Sequence, residues 1–372
     1  MNLDTRAKRL AKILVDYSLS ITKKDTLMVQ CEDVFSSFAE YVGRLTEKKN
    51  ASVIYELFNL KEKRKMINRN NKEELKKESK RLCEIAEKVT ARVRIDSDSN
   101  PYYLGGINPK KIADYTSIVN KPLLDRIVGD GKKFKEKKWT VAAFPCEAEA
   151  KKAGMSLREY NNFVYSATNI NWKKKRAEMV KIKKIFDNAK DVHIIIPDFT
   201  NIHLSLKGRG GHVSDGMHNM PDGEVYYCPL ENSANGYIYF PYKTVRDGNA
   251  VSGIRLEYRG GKIVDFSAKE NQKFLESMLN LKGAKRIGEL GIGCNYSIKK
   301  YTNKLLFDEK IGGTIHLAIG ESYSRPLSSG GGKNKADIHW DLVCDLRKEN
   351  GLPGGEIYVD GKPVQKNGKW VF

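Results

Sequence analysis

The fold is decided by residues 26–55: Thr26-Leu27-Met28-Val29-Gln30, then Asp33 to Lys48, then Ala51-Ser52-Val53-Ile54-Tyr55. The two short apolar runs fit buried strands, and the segment between them reads as a helix. Strand, helix, strand is a βαβ unit, which predicts parallel pairing. The alternation continues on both sides. Residues 4–18 read as a helix with Leu10, Ile13, Leu14 and Tyr17 on one stripe. Glu73 to Val89 is a charged amphipathic helix. Val93 to Ile95 is a strand fragment ending in the turn cluster Asp96-Ser97-Asp98-Ser99-Asn100-Pro101. Lys110 to Val128 reads as helix and Trp139 to Phe144 as strand. Ser156 to Phe186 is largely helical, interrupted at Thr168 to Asn171.

Near residue 190 the texture changes. Val192 to Ile196 opens a region rich in glycine and β-branched residues, where hairpins are legible. Leu256-Glu257-Tyr258 and Ile263-Val264-Asp265-Phe266 flank the turn Arg259-Gly260-Gly261-Lys262. Ile357-Tyr358-Val359 and Lys362-Pro363-Val364 flank Asp360-Gly361, and Asn367-Gly368 turns the chain once more. The expectation is an α/β protein of two domains. Residues 1–190 form an N-terminal α/β domain with a mostly parallel sheet, and residues 191–372 a C-terminal mixed α/β domain with hairpins. A chain of 372 residues is long enough for two cores. No repeat of solenoid period is visible.

Hydrophobic residues make up 40% of the chain, enough for packed interiors. No run of eighteen apolar residues suggests a membrane helix. The opening Asn2-Leu3-Asp4-Thr5-Arg6 has no apolar leader segment. The six cysteines include no CxxC pair, so they read as free thiols of a cytoplasmic protein.

The net charge of +20 is uneven: residues 1–186 carry +17 and residues 187–372 only +3. The excess lies in runs such as Lys61 to Lys65, Lys76 to Arg81, Lys132 to Lys138 and Lys173 to Lys184. Such a field attracts nucleic acid or anionic surfaces. The runs, however, are interleaved with glutamates at helical pairing distance, and no aromatic strand signature for RNA accompanies them. They read as solvated helix faces, which argues against nucleic acid as the main partner.

All six histidines (His193, His203, His212, His218, His316, His339) lie in the second region. Four segments there carry chemistry. They are Asn219-Met220-Pro221-Asp222-Gly223-Glu224-Val225, Gly288-Glu289-Leu290-Gly291-Ile292-Gly293, Gly312 to Gly320 with Tyr323 following, and Asp337-Ile338-His339-Trp340-Asp341-Leu342-Val343. On a strand His339 and Asp341 share a face, with Ile338, Trp340 and Leu342 on the other. An imidazole and a carboxylate on one face can ligate a divalent metal together. Taken alone, such a pair is more often a buried His–Asp hydrogen bond. His316 among Ile315, Leu317, Ala318 and Ile319 is by itself more often a satisfied core histidine. Glu224 after a Pro-Asp-Gly turn and Glu289 between glycines are each more often solvated loop acids. Together they supply three carboxylates, two imidazoles and a tyrosine, the inventory of a two-metal hydrolytic site. Glu321 is a further carboxylate two residues before Tyr323. His212 and His218 read as surface residues. The glycine-rich loop Ser328-Ser329-Gly330-Gly331-Gly332-Lys333 is of a composition that suits a cavity entrance. No GxxxxGK[ST] loop for a nucleoside triphosphate occurs.

The order and wording of the four segments resemble the M29 (thermophilic-type) metallo-aminopeptidases, the aminopeptidase T and aminopeptidase S group. Phe144-Pro145-Cys146-Glu147-Ala148 with Ala153-Gly154-Met155-Ser156 extends the resemblance into the first region. It implies metal ligands at Glu224, Glu289, His316, His339 and Asp341, with Tyr323 as ligand or transition-state stabiliser. The expected catalytic set is Tyr323, Glu289 and Glu321. It also implies two divalent ions per chain, zinc or cobalt first and manganese or magnesium as alternatives. The implied activity is removal of single amino acids from peptides with free N-termini, by a homodimer whose sites face an enclosed cavity. Two other readings compete: a non-catalytic basic binding module on the same fold, and another dinuclear metal hydrolase. The HxH and GNHD-type clusters of other hydrolases are absent, and ligands at all five metal positions argue against a binding module.

Overall fold

The structure is a computed structural model that describes residues 3–246, 248–323, 331–349 and 351–372. The first compact unit holds the described residues up to Ile170 together with Gly216–Pro221, and the second holds Asn171–Asp215 and Asp222–Phe372.

In the first unit the strands run in the order Ser52–Phe58, Thr26–Glu32, Ala91–Ile95, Lys138–Ala142, Asn219–Met220, all parallel. Thr26–Glu32 is buried from Leu27 onward, as a strand covered on both faces must be. The crossover between the first two strands is the helix Ser36–Glu47, entered by a short 3-10 turn at Asp33–Phe35. Asn59 and Asn71 cap the helices Leu60–Arg69 and Lys72–Lys88, each accepting two main-chain N–H groups. Ser156 and Glu159 form a reciprocal capping box on Leu157–Thr168. One core cluster packs Met28 under Leu75, Leu82, Val119 and Leu123. The stretch from Lys110 to Val128 is not one helix. It divides into Pro109–Tyr115, a π turn Thr116–Asn120 and Lys121–Val128. Pro122 lacks an N–H, and a π turn just before it absorbs the break in the ladder. Leu60–Arg69, read in the sequence only as part of a charge run, is a helix whose Leu60 and Ile67 are buried.

The second unit is mainly antiparallel. An eight-stranded sheet carries both predicted hairpins, Ile254–Arg259 with Lys262–Ser267 and Glu356–Val359 with Lys362–Lys366. A five-stranded sheet runs in the order His339–Asp345, Thr314–Gly320, Ile287–Gly293, Glu224–Tyr227, His212–Ser214. The helix Trp172–Phe186 supplies Met179, Ile182 and Phe186 to the core of this unit, which begins at Asn171. All six cysteines are free, and five of them are buried. Among the described residues no helix is long and apolar enough to cross a membrane.

Candidate metal centre

The five-stranded sheet has one apolar and one polar face, set by period-2 alternation. Leu290 and Ile292, then Ile315, Leu317 and Ile319, then Trp340, Leu342 and Cys344 enter the core. Each such side chain, fully buried, stabilises the sheet by about 1.5–3 kcal/mol. The alternate positions face the opposite way. Glu289 pairs with Ala318, and Ala318 with Asp341, so the two carboxylates flank a methyl group along one row. Gly291 pairs with His316, Gly293 with Glu224, and Gly320 with His339. Every imidazole and Glu224 thus has a glycine as its neighbour on the next strand, and the small residues leave the room that the large ones fill.

The ligating atoms converge. His316 Nε2 lies 3.3 Å from Glu289 Oε1, 3.8 Å from Glu224 Oε2 and 3.9 Å from Asp341 Oδ1. His339 Nε2 lies 3.5 Å from Glu289 Oε2 and 3.4 Å from Asp341 Oδ1. Two groups follow, Glu224 with Glu289 and His316, and Glu289 with His339 and Asp341, each with ligand atoms within 4.8 Å of one another. Glu289 belongs to both. Gly223, at φ +118°, holds the turn that presents Glu224; a Cβ there would sit 2.9 Å from Asn295 Cβ.

Protonation follows from burial and neighbours. Burial pushes Glu224 up to about 8, against the pull of Lys310. Burial also opposes charge on Asp341, yet the His339 imidazole beside it wins and holds it near 2. His316 and His339 feel the same burial in the opposite sense. Their carboxylate neighbours outweigh it and raise them to about 10 and about 11. The imidazoles therefore demand a positive charge at this spot, supplied by a proton or by a cation. His339 Nδ1 is 2.7 Å from the main-chain carbonyl of Glu321, which only accepts, so Nδ1 donates and Nε2 is the atom turned to the carboxylates. Glu224 Oε2, His316 Nδ1 and His339 Nε2 are buried with no hydrogen-bond partner among the described residues. Glu224 Oε2 and His339 Nε2, buried lone-pair atoms turned toward the cluster, fit a divalent cation.

The other sequence candidates are placed as follows. The Tyr323 ring is partly exposed and packs 5.2 Å from the His339 ring and 5.4 Å from that of Tyr226, centroid to centroid. The Glu321 carboxylate turns to Lys335 Nζ at 3.1 Å and the Ala336 N–H at 2.5 Å. What Glu321 offers the cluster is its carbonyl. His212 and His218 are half-buried rather than at the surface, and they lie in different units. His212 stacks on Tyr226 at 5.1 Å, and His218 on Trp139 at 4.4 Å. Residues 328–330 of the glycine-rich loop lie outside the described residues. Sequence reading missed Glu309 and Lys310. Lys310 is 2% exposed, contacts Glu309 and lies 3.5 Å from Glu224 Oε1. The one signal was a charged pair directly before the buried run Ile311 to Gly320.

The model of the thermophilic metalloprotease (M29) family matches residues 3–370. This chain belongs to that family. It is therefore a metallopeptidase, a hydrolase of peptide bonds. Among curated relatives, Aminopeptidase 2 of Geobacillus stearothermophilus is 23% identical over 330 residues, covering 78% of each chain. Aminopeptidase PepS of Streptococcus thermophilus is 26% identical over 333 residues, covering 77% of this chain and 78% of its own. Among solved structures, wild-type AmpT from Thermus thermophilus superposes with a TM-score of 0.79 at 20% identity, covering 99% of both chains. At that identity the likeness is one of fold, and it bears out the α/β architecture with parallel and antiparallel sheets.

Proposed function

We propose that this M29 chain is an aminopeptidase that works with two divalent cations. The observation that carries the reading is Glu289, whose two carboxylate oxygens face two different imidazoles. A carboxylate so placed suits a bridge between two ions. Glu224, Glu289 and His316 would hold one ion, and Glu289, His339 and Asp341 the other. When bound there, such ions would supply a water of near-neutral pKa and a Lewis acid for a scissile carbonyl. The donor set of imidazoles and carboxylates suits zinc or cobalt. Around it the chain does the positioning. The Glu321 carbonyl fixes the His339 ring, Lys310 pulls Glu224 toward its charged form against burial, and the apolar face of the sheet keeps the strands in register. Tyr323, beside His339, is assigned to stabilising the developing oxyanion with its hydroxyl. Relatives named aminopeptidases support action at free N-termini, with the substrate's α-amino group drawn to this carboxylate-rich site. The resemblance also supports a homodimer in the cytoplasm.

The test is hydrolysis of a panel of aminoacyl chromogenic amides by chelated protein and by protein loaded with zinc, cobalt or manganese. Metal-dependent release from free but not N-acetylated substrates is expected. Equal cleavage of the acetylated series would overturn the exopeptidase assignment, and full activity in the chelated sample would overturn the role of the ions. Light scattering in solution checks the dimer.

A further inference from the structure

The first unit contains a cavity of 350 Å³ that the metal chemistry does not use. Its floor is one face of the parallel sheet. Gln30 pairs with Glu56 on one side and Arg94 on the other, and Arg92, two residues before Arg94, shares their face. The helix Leu60–Arg69 adds Lys63. Acids also line the space, but each is paired with a cation, Glu56 and Glu78 sharing one. Arg81 holds Glu56 at 2.6 and 2.7 Å and Glu78 at 2.9 Å, and Lys65 holds Glu62 at 2.8 Å. Arg92 differs. It is 4% exposed, and its recorded hydrogen bonds both run to Gln30 Oε1, a neutral acceptor. The Lys63 ammonium lies 4.8 Å above the Phe58 ring and within 6 Å of the Tyr115 ring, with no carboxylate in ion-pair reach among the described residues. Among the described residues Arg94 pairs with Asp96, at 3.7 Å.

A buried cation close to like charges is unfavourable, and the Arg92 guanidinium cannot escape by losing its proton. Burial and the nearby Arg94 both work against charge on Arg92, and together they lower Lys63 to about 8. Something must compensate this arrangement when it is in use. A planar, double-donor fork is the geometry that suits phosphate oxygens. Two guanidinium groups and an ammonium match a dianion better than a single carboxylate, and Phe58, Met66, Tyr115 and Leu123 give the same cavity an apolar wall. Its volume falls within the range of small-molecule sites.

We propose that the first unit binds a small phosphate monoester carrying an aromatic or apolar group, with Arg92, Arg94 and Lys63 on the phosphate. This gives the strongly basic first half a specific role beyond solvation. The site stands apart from the peptidase assignment and does not depend on it.

Calorimetric titration of the full-length protein with phenyl phosphate tests it, in metal-loaded and chelated samples, beside phenol and inorganic phosphate. Saturable binding of phenyl phosphate in both samples is expected, with phenol at least about tenfold weaker. Lys63→Met and Arg92→Met should each weaken phenyl phosphate by about tenfold or more, since a charge-assisted hydrogen bond is lost. Lys63 is only half-buried, so its variant carries the test if Arg92→Met does not fold. Lys63→Met should also raise the Tm of the free protein, because it removes an uncompensated charge. A cation serving only as a structural strut would lower it. Binding confined to the metal-loaded sample, binding unchanged in Lys63→Met, or no saturable binding at all would each overturn the proposal.

Discussion

Gly291 and His316 face each other across neighbouring strands, and the imidazole occupies the space a side chain on residue 291 would need. A Cβ there would lie 1.9 Å from His316 Cε1 and 2.1 Å from Nε2. Gly291→Ala must therefore rotate or displace the ring while leaving the apolar face of the strand intact. We expect a folded protein whose metal affinity and peptidase turnover fall by about 10–100-fold. Elemental analysis after dialysis, read beside turnover, checks this; wild-type metal content in the variant would show that the glycine is not holding the ring's place.

Glu289 serves both ligand groups, whereas Asp341 serves one. If two ions bind as proposed, Glu289→Gln should lose both, and Asp341→Asn should retain one. Turnover is expected to drop by about 100-fold or more in Glu289→Gln. Metal stoichiometry separates the two variants. Unchanged turnover in Glu289→Gln would remove Glu289 from the site.

Lys310 is buried between Glu309 and Glu224. Removing its charge strands two buried acids. Lys310→Met should destabilise the chelated protein by about 3–5 kcal/mol, and adding Glu309→Gln should restore part of the loss. Urea unfolding of the single and double variants measures both. Equal stability of Lys310→Met and wild type would mean that Glu224 is compensated from elsewhere.

Asp25 gives a pH dependence. It is buried, which opposes its charge, but Lys138 at 2.8 Å and the Thr22 and Thr90 donors outweigh that and bring it from 3.8 down to about 2. A carboxylate depressed on folding stabilises the protein fully above its unfolded value and loses that contribution as pH falls through the folded one. The network is thus expected to contribute about 2 kcal/mol near neutral pH, fading between about pH 4 and pH 2. The stability difference between wild type and Asp25→Asn should shrink over that window. A difference that stays constant down to pH 2 would sink the assignment.

Much of this was legible in residue order. The Thr26–Glu32 and Ser52–Phe58 strands were announced by apolar runs, and the hairpins at Gly260-Gly261 and Asp360-Gly361 by turn chemistry. Both signals are local, which is why they can be read from a single stretch of chain. Less legible was the chain of short strands from Thr200 to Val251, whose pairing is long-range and whose individual runs are too short to show a period. The same limit hid Lys310, whose charge reads as solvated until its neighbours bury it.

Residue order alone determined the kinds of donor this protein brings together and, through alternation along each strand, which of them share a face with their neighbours. His339 and Asp341 were bound to point the same way whatever the partner strand. Only the tertiary structure decided that Glu289 would stand between two imidazoles, that Gly291 would make room for one of them, and that Arg92 would lie buried under a cavity, bonded to the neutral Gln30. Those relations depend on the register between strands and on packing between segments far apart in the chain, and neither is written in any single stretch of sequence.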